Sequence, residues 1–172
     1  MKIISKDEVN LDELGESVFI YPTDTIYGIG CDARDSESVK RIREIKEREK
    51  KPFSVIAPSK NWIKENCFVG KELDKLPGAY TLILKLKKDC ICKEVNNGLD
   101  TLGVRIPKHW FSEIVKKLGF PIVTTSVNKT GEKFMTCLDD LDKNIKVDFV
   151  IYDGELNGKP SKIIKNDEII ER

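Results

Sequence analysis

Short runs of β-branched and aromatic residues, several of them closed by proline or glycine, alternate with helical segments along this chain of 172 residues. No repeat, low-complexity run or flexible linker divides the chain. A chain of this length normally forms one domain. Strands and helices that mix without strict βαβ regularity favour a mixed sheet covered by helices. We therefore expect a single α+β domain over residues 1–172.

The apolar runs predict short strands, and longer periodic segments predict helices. The expected strands are 17–21, 53–58, 80–87, 101–107, 120–127 and 147–154, with two more around an Asn-Asp turn in 161–172. The expected helices are 36–52, 61–68, 109–118 and a short one at 139–145. The first should begin at Asp35 or Ser36 and stop at Pro52, and the third should end at Gly119.

The charges nearly balance, since 30 Lys and Arg against 29 Asp and Glu leave a formal net charge of +1. The net charge therefore gives no evidence for an acidic partner, and any basic surface must be a local patch. Residues 1–10 lack the apolar region of a signal peptide, and no run approaches the ~18 apolar residues of a membrane span. We expect a cytoplasmic protein with no membrane partner.

Five cysteines and one histidine limit the chemistry. Cys90 and Cys92 have no second pair at zinc-site spacing, so the thiols are interpreted as structural. A Ser-His-Asp catalytic triad or a Cys-His catalytic dyad would have to use His109. We expect no metal site built from protein side chains, and an enzyme here should work through Lys, Arg, hydroxyls and amides.

One lysine and one arginine stand out near the end of the first long helix. Lys46 occupies the place where the buried stripe of Val39 and Ile42 would continue. Arg48 would join Lys46 only if the helix ends near residue 47. From spacing alone, a solvated helix end whose lysines complement the helix dipole is the favoured interpretation.

Two strands carry polar residues on one face. Thr101, Gly103 and Arg105 alternate with apolar residues; the glycine would let a ligand approach, and the arginine could bind phosphate or carboxylate. Taken alone, this pattern is better explained by a half-exposed strand with a surface arginine. Ser126 and Asn128 share a face at the end of another strand.

The stretch YPTDTIYGIG, residues 21–30, has more polar groups than a turn requires, namely Thr23, Asp24 and Thr25. Micromolar binding of a nucleotide needs roughly 8 kcal/mol, so several charge-assisted bonds of about 1.5–3 kcal/mol would have to converge. The sequence contains enough hydrogen-bond donors for this, but periodicity cannot show that they lie close together in the fold. Neither a Walker-type loop nor a G-x-G-x-x-G motif is present.

Six segments, taken in order, resemble motifs of the YrdC family, whose core members are threonylcarbamoyl-AMP synthases. They span residues 21 to 164 and are YPTDTIYGIGCDA, RIREIKERE, LPGAYTLIL, TLGVRIPKH, TTSVNKTG and GKPSKII. Each motif alone is weak, whereas the ordered set is highly specific.

The resemblance implies a twisted mixed sheet with helices around a concave, basic cleft. It implies a reaction of L-threonine, bicarbonate or CO2, and ATP, normally with Mg²⁺ held mainly by the ATP phosphates. The products are threonylcarbamoyl-AMP and pyrophosphate, and a partner transferase then modifies tRNA.

Residue roles follow from the motif positions, again as the resemblance implies them. Lys46 and Arg48 would be catalytic, holding phosphates and the carboxylated intermediate. The threonine site would consist of Thr23, Thr25, Tyr27, Arg105, Ser126 and Ser161. The nucleotide site would add to Lys46 and Arg48 the residues Thr101, Asn128, Thr136 and Arg172.

The chain departs from the family pattern at a few positions. The PGAYT segment lacks a second proline, Val127 replaces an alanine, Lys162 replaces a threonine, and the loop after Arg48 is one residue short. Two alternatives remain open. One is a non-catalytic module that binds double-stranded RNA or tRNA; the other is a carbamoyl-transfer accessory related to hydrogenase maturation, whose much longer chains carry zinc fingers.

Overall fold

The computed structural model describes residues 1–129 and 131–171. Its strands are β1 (Lys2–Ile4), β2 (Phe19–Tyr21), β3 (Gly28–Gly30), β4 (Ser54–Ile56), β5 (Tyr80–Lys85), β6 (Thr101–Arg105), β7 (Ile122–Ser126), β8 (Phe149–Ile151), β9 (Lys162–Lys165) and β10 (Glu168–Ile170). Its α-helices are α1 (Leu11–Gly15), α2 (Ser36–Ile45), α3 (Lys60–Asn66), α4 (Lys93–Asn96) and α5 (Phe111–Leu118). Short 3-10 turns lie at Lys6–Glu8, Lys71–Lys75 and Leu138–Asp140.

The strands form one mixed sheet in the order β1-β8-β2-β3-β7-β4-β6-β5-β9-β10. The β4–β6 and β5–β9 pairs are parallel, whereas β7 is antiparallel to both β3 and β4. This arrangement confirms the α+β class and the mixed sheet. It also places β3, β7, β4 and β6 side by side, although they come from distant parts of the sequence.

The two faces of the sheet bury separate apolar clusters. Along β2, Ile20 packs into the larger cluster, while Phe19 and Tyr21 pack into the smaller one with Phe111 of α5. Along β7, Ile122 belongs to the smaller cluster, and Thr124 and Ser126 follow it on the same face. Polar side chains therefore continue this face of the sheet where its apolar cluster ends.

The first long helix is shorter than predicted. Asp35 is its N-cap and accepts a hydrogen bond from the Glu37 amide at 3.1 Å, but α2 ends at Ile45 rather than near Pro52. The backbone turns at Glu47, whose φ of 49° is left-handed. The prediction that Pro52 stops the helix is wrong because the chain leaves the helix before reaching it.

Other boundaries differ by a few residues. Gly119 ends α5 with a φ of 76°, and Asn166 and Asp167 turn the last hairpin with φ values of 51° and 64°, as predicted. The helix expected at 139–145 is wrong, since only a 3-10 turn forms, at Leu138–Asp140. The sequence patterns did not predict β1, α1, β3 and α4.

Among the described residues, no helix has the length and apolar composition needed to cross a membrane.

Candidate active site

A cleft of about 120 Å³ opens beside the polar ends of the central strands. This volume is well below the ~300–1,000 Å³ of drug-sized ligand sites and suits a small metabolite. Every residue that the family resemblance assigns to threonine lines this one cleft: Thr23, Thr25, Tyr27, Arg105, Ser126 and Ser161. The fold thus brings together side chains that lie up to 138 positions apart in the sequence.

The segment after β2 forms one wall of the cleft through a hydroxyl turn. Thr23 Oγ1 lies 2.9 Å from Thr25 Oγ1 and donates to the carbonyl of Ile26 at 2.7 Å. It also accepts a hydrogen bond from the Thr25 amide at 3.1 Å. Both threonines are buried, so their hydroxyls face the cleft in fixed positions rather than in solvent.

Arg105 lies at the end of β6 and is only 6% exposed, so the expectation of a surface arginine is wrong. Its Nη2 donates to Asp24 Oδ1 at 2.8 Å, and both Nη atoms lie 3.4 Å from Thr25 Oγ1. Burial lowers the pKa of Arg105, and the Asp24 carboxylate acts in the opposite direction. The buried Nε has no hydrogen-bond partner among the described residues. An anionic group entering the cleft would meet a guanidinium that Asp24 holds in a fixed orientation.

Asp24 holds that guanidinium in place. Its Oδ2 accepts the amide of Lys108 at 2.8 Å, while its Oδ1 accepts from Arg105. One carboxylate therefore joins the turn after β2 to the segment after β6. Sequence reasoning left Asp24 without a role, although it lies between the two threonines of the same motif.

Lys46 is 2% exposed, so the favoured interpretation of a solvated helix end is wrong. Its ammonium donates to the carbonyl of Ser126, to the carbonyl of Asn128 at 2.7 Å and to Asn128 Oδ1 at 3.2 Å. Burial lowers the pKa of Lys46 to about 7, with a smaller contribution from the charge of Arg48. Lys46 thus holds the end of β7 in place, next to the cleft.

Ser126 and Asn128 meet at the end of β7, as their shared face predicted. Ser126 Oγ donates to Asn128 Oδ1 at 2.6 Å, and Asn128 Nδ2 donates to the carbonyl of Glu132 at 2.7 Å. The Asn128 amide oxygen therefore accepts from both Ser126 and Lys46. This network orients the hydroxyl that faces the cleft.

The segment before β9 closes the cleft on its other side. Ser161 Oγ lies 2.7 Å from Thr81 Oγ1 of β5, and both residues are buried. A Cβ built on Gly158 would overlap the backbone of Thr25, so this segment lies directly against the hydroxyl turn. Tyr27 holds the segment by donating to the carbonyl of Gly154 at 2.7 Å, which leaves it a supporting role.

A second cavity, of about 210 Å³, adjoins the cleft and shares Ser54 with it. Arg48 and Thr101, both predicted to contact nucleotide, line this cavity together with Lys51 and Phe53. Gly103 also reaches it, but the Ser54 side chain occupies the space that a Cβ of Gly103 would fill. The room expected for a ligand over Gly103 is therefore taken by a neighbouring strand.

Of the predicted nucleotide contacts that the structure describes, Arg48 and Thr101 line the second cavity, whereas Lys46, Asn128 and Thr136 line neither cavity. Thr136 donates its hydroxyl to Asp140 Oδ2 at 2.7 Å. Arg172 lies outside the described residues. Their roles stay predictions.

The sequence analysis also missed hydroxyl residues of the cleft, namely Ser54, Thr81, Thr124 and Thr125. Thr81 had a signal, because it is the threonine of the LPGAYT motif. Thr124 and Thr125 begin the TTSVNKTG motif and could have been found from it in the same way. Ser54 had no such signal, because it meets Thr124 of β7 and Gly103 of β6 only through the register of the sheet.

Known proteins resemble this chain along most of its length. A protein of Methanocaldococcus jannaschii, provisionally named as a threonylcarbamoyl-AMP synthase, is 38% identical over 172 residues, covering 91% of this chain and 79% of that protein. The threonylcarbamoyl-AMP synthase of Vibrio campbellii is 30% identical over 159 residues, covering 85% of each.

The crystal structure of P. abyssi Sua5 complexed with L-threonine matches with a TM-score of 0.82 and 26% identity, covering 97% of this chain. This chain spans 54% of that Sua5 chain, little more than half of its length. The profile described as telomere recombination, which groups Sua5, YciO and YrdC, matches residues 14–171. The chain therefore belongs to the Sua5/YciO/YrdC family.

Proposed function

We propose that this protein is an L-threonylcarbamoyladenylate synthase, a nucleotidyltransferase. It forms threonylcarbamoyl-AMP and pyrophosphate from L-threonine, bicarbonate or CO2, and ATP. The observation that carries the proposal is the convergence of all six predicted threonine residues on one small cleft beside Lys46 and Arg48. Membership in a family that includes a Sua5 solved with L-threonine supports the same substrate.

Threonine would bind with its carboxylate toward Arg105. That guanidinium lines the cleft and is oriented by Asp24, so it can donate hydrogen bonds to the carboxylate from a fixed position. The hydroxyls of Thr23, Thr25 and Ser161 would recognise the small polar side chain and exclude bulkier ones.

ATP would lie across the second cavity, with its phosphates between Arg48 and the end of β7. The amine of threonine combines with CO2 to form a carbamate. A carbamate oxygen then attacks the α-phosphorus of ATP, and pyrophosphate leaves. The carbamate is labile in water, so the main task of the protein is to hold it in line with the α-phosphate in a closed cleft. Arg48 would supply positive charge on that side, and Lys46 would hold the end of β7 in place through its bonds to Asn128.

Mg²⁺ would be held chiefly by the phosphates of ATP. The described residues contain no group of three or more His, Cys, Asp or Glu side chains that could hold a metal ion. A metal that arrives with the nucleotide fits this donor set, because Mg²⁺ keeps several waters and binds substrate phosphates. When bound, it would neutralise charge on the triphosphate.

We further propose that a partner transferase passes the threonylcarbamoyl group to tRNA, and that the protein works in the cytoplasm. The transfer step is supported by the chemistry of the product, which is an activated and short-lived acyl donor.

The test is a pyrophosphate-release assay with ATP, bicarbonate and threonine. Arg48→Ala should lower turnover at least ~100-fold, because a charge-assisted contact to the reacting phosphates is lost. The matched control is Arg34→Ala, which removes an arginine paired with Asp32 at 2.7 Å and should leave turnover within about twofold. Equal activity of both variants would contradict the role of Arg48.

A further inference from the structure

The segment between α2 and β4 has no regular structure, yet side chains satisfy its backbone. Each carbonyl oxygen from residue 48 to residue 52 accepts a side-chain hydrogen bond. Arg43 Nη1 supplies three of these bonds, to the carbonyls of Arg48, Glu49 and Lys51 at 2.9, 3.2 and 3.2 Å. Asn97 supplies another, to the carbonyl of Lys50 at 2.6 Å.

The opposite side of the same guanidinium binds α4. Arg43 Nε and Nη2 donate to the carbonyl of Glu94 at 2.8 and 2.6 Å, and Nη2 also reaches the carbonyl of Val95 at 3.2 Å. The guanidinium lies over the ring of Phe53, 4.4 Å from its centroid. Arg43 therefore joins the 46–52 loop to α4 through main-chain oxygens of both.

Each of the two joined segments leads to one wall of the second cavity. The loop carries Arg48, and α4 leads into β6 through Asn96, whose Nδ2 donates to the carbonyls of Leu99 and Thr101 at 2.8 and 2.9 Å. Arg48 and Thr101 line the same cavity of about 210 Å³. Their separation therefore depends on how Arg43 holds the two segments together.

The geometry points to Arg43, assisted by Asn97, as a positioning residue for ATP binding. It sets the distance between Arg48 and Thr101 without itself lining the cavity that they share. This assignment rests on the proposed function. Only a guanidinium can do this work here, because its planar fork donates in opposite directions, whereas a lysine ammonium is a point donor.

The kinetic test compares Arg43→Lys, Arg43→Gln and Asn97→Gly with the control Arg41→Gln. Arg41 lies on the same helix but binds Asp148 at 2.8 Å, away from the loop. The two Arg43 variants should raise the KM for ATP about tenfold, the effect of weakening one charge-assisted contact. Asn97→Gly keeps the left-handed backbone and removes one tether, so it should raise this KM about two- to threefold.

Specific outcomes separate positioning from a general loss of structure. The KM for threonine should stay within about twofold in every variant, and Arg43→Gln should have little added effect in an Arg48→Ala background. An unchanged KM for ATP in both Arg43→Lys and Asn97→Gly overturns the inference, as does an equal rise in both KM values. So does an effect in Arg41→Gln as large as that of Arg43→Gln.

A measurement without turnover keeps this inference distinct from the proposed function. Hydrogen exchange of the amides of residues 47–51 should speed up at least tenfold in Arg43→Lys and Arg43→Gln and stay unchanged in Arg41→Gln. If the wild-type protein releases no threonine-dependent pyrophosphate, the proposed function fails, and the role in ATP binding fails with it. If the wild-type protein is active but the loop exchanges at its normal rate in the variants, the inference alone fails.

Discussion

Arg105 and Asp24 show how two charged side chains can be fixed at the wall of a small cleft. The guanidinium is 7% and the carboxylate 12% exposed, and their 2.8 Å contact is reinforced by the Lys108 amide. Leaving either charge alone in this environment would be costly, because a buried ion without its partner keeps its desolvation penalty. The pair therefore presents the Arg105 cation to a ligand in a fixed orientation.

Removal of the Asp24 charge should consequently destabilise the fold. Asp24→Asn is expected to lower the free energy of unfolding by about 3 kcal/mol, near the lower end of the cost of breaking a buried pair. Chemical denaturation measures this loss. The control Glu37→Gln removes the carboxylate from an exposed pair with Lys40 at 2.7 Å and should change stability by less than about 0.5 kcal/mol. Equal effects of the two substitutions would refute a special role for Asp24.

Lys46 predicts a pH dependence of stability whose sign follows from its burial. The pKa of Lys46 is about 7 in the folded protein, against an ordinary value of 10.5. Between these values the unfolded chain binds more protons than the folded one, so the contribution of Lys46 makes the free energy of unfolding rise with pH.

The difference between wild type and Lys46→Met isolates this contribution. From pH 7 to 10, the stability of the wild-type protein should rise relative to the variant by a few kcal/mol, since each pKa unit corresponds to about 1.4 kcal/mol. Urea titrations at several pH values measure the difference. Parallel stability curves would show that the pKa of the lysine is not depressed.

At the scale of elements, the strand and helix periods predicted which residues are buried better than where each element ends. The apolar face of β6, formed by Leu102 and Val104, is buried as its alternation predicts. The end of α2 was not predictable from helical spacing, because Arg43 also ties this region to the carbonyls of Glu94 and Val95, which only the tertiary fold brings near. The strand β3 was missed since its two glycines are poor strand formers.

Those glycines fit β3 because the neighbouring strands leave no room for a side chain. A Cβ on Gly28 would lie 2.9 Å from the ring of Tyr21, and one on Gly30 would overlap the carbonyl of Val123. The sequence motif therefore serves two purposes, a tight strand and a hydroxyl turn. Local propensity could reveal neither, whereas the ordered family motifs identified the turn.

The element that closes the cleft offers a functional test. Gly158→Ala should push the 154–161 segment away from Thr25 and raise the KM for threonine about tenfold, because Ser161 moves with it; the loss corresponds to one hydrogen bond of about 1.4 kcal/mol. Steady-state kinetics with varied threonine measures the change. The control Gly15→Ala adds a methyl that meets only Phe120 at 3.8 Å, so threonine kinetics should be unaffected. A normal KM in Gly158→Ala would contradict the closure of the cleft by this segment.

At the scale of the whole molecule, the sequence predicted the fold class, and the six residues that the family resemblance assigns to threonine line one cleft. What the sequence could not show was the burial of charged side chains, because a formal charge says nothing about which lysine or arginine the fold removes from water. Lys46 and Arg105 were both interpreted as surface residues from spacing alone, and both are buried.

The main rival interpretation is a module that binds double-stranded RNA or tRNA without catalysis. Such binding would weaken steeply with salt and would not depend on threonine. We expect instead that ATP binding tightens when threonine and bicarbonate are present, which calorimetry at two salt concentrations can measure. RNA binding with a steep salt slope, unaffected by threonine and accompanied by no nucleotide binding, would favour the rival.

The most direct measurement of the central claim follows the carbon of bicarbonate into the product. The purified protein is incubated with ATP, L-threonine, Mg²⁺ and ¹³C-bicarbonate, and the nucleotides are analysed at once by mass spectrometry. The account predicts threonylcarbamoyl-AMP that carries the label, formed together with pyrophosphate and absent when threonine is omitted. Well-folded protein that forms no labelled adenylate, or releases pyrophosphate equally without threonine, would contradict it.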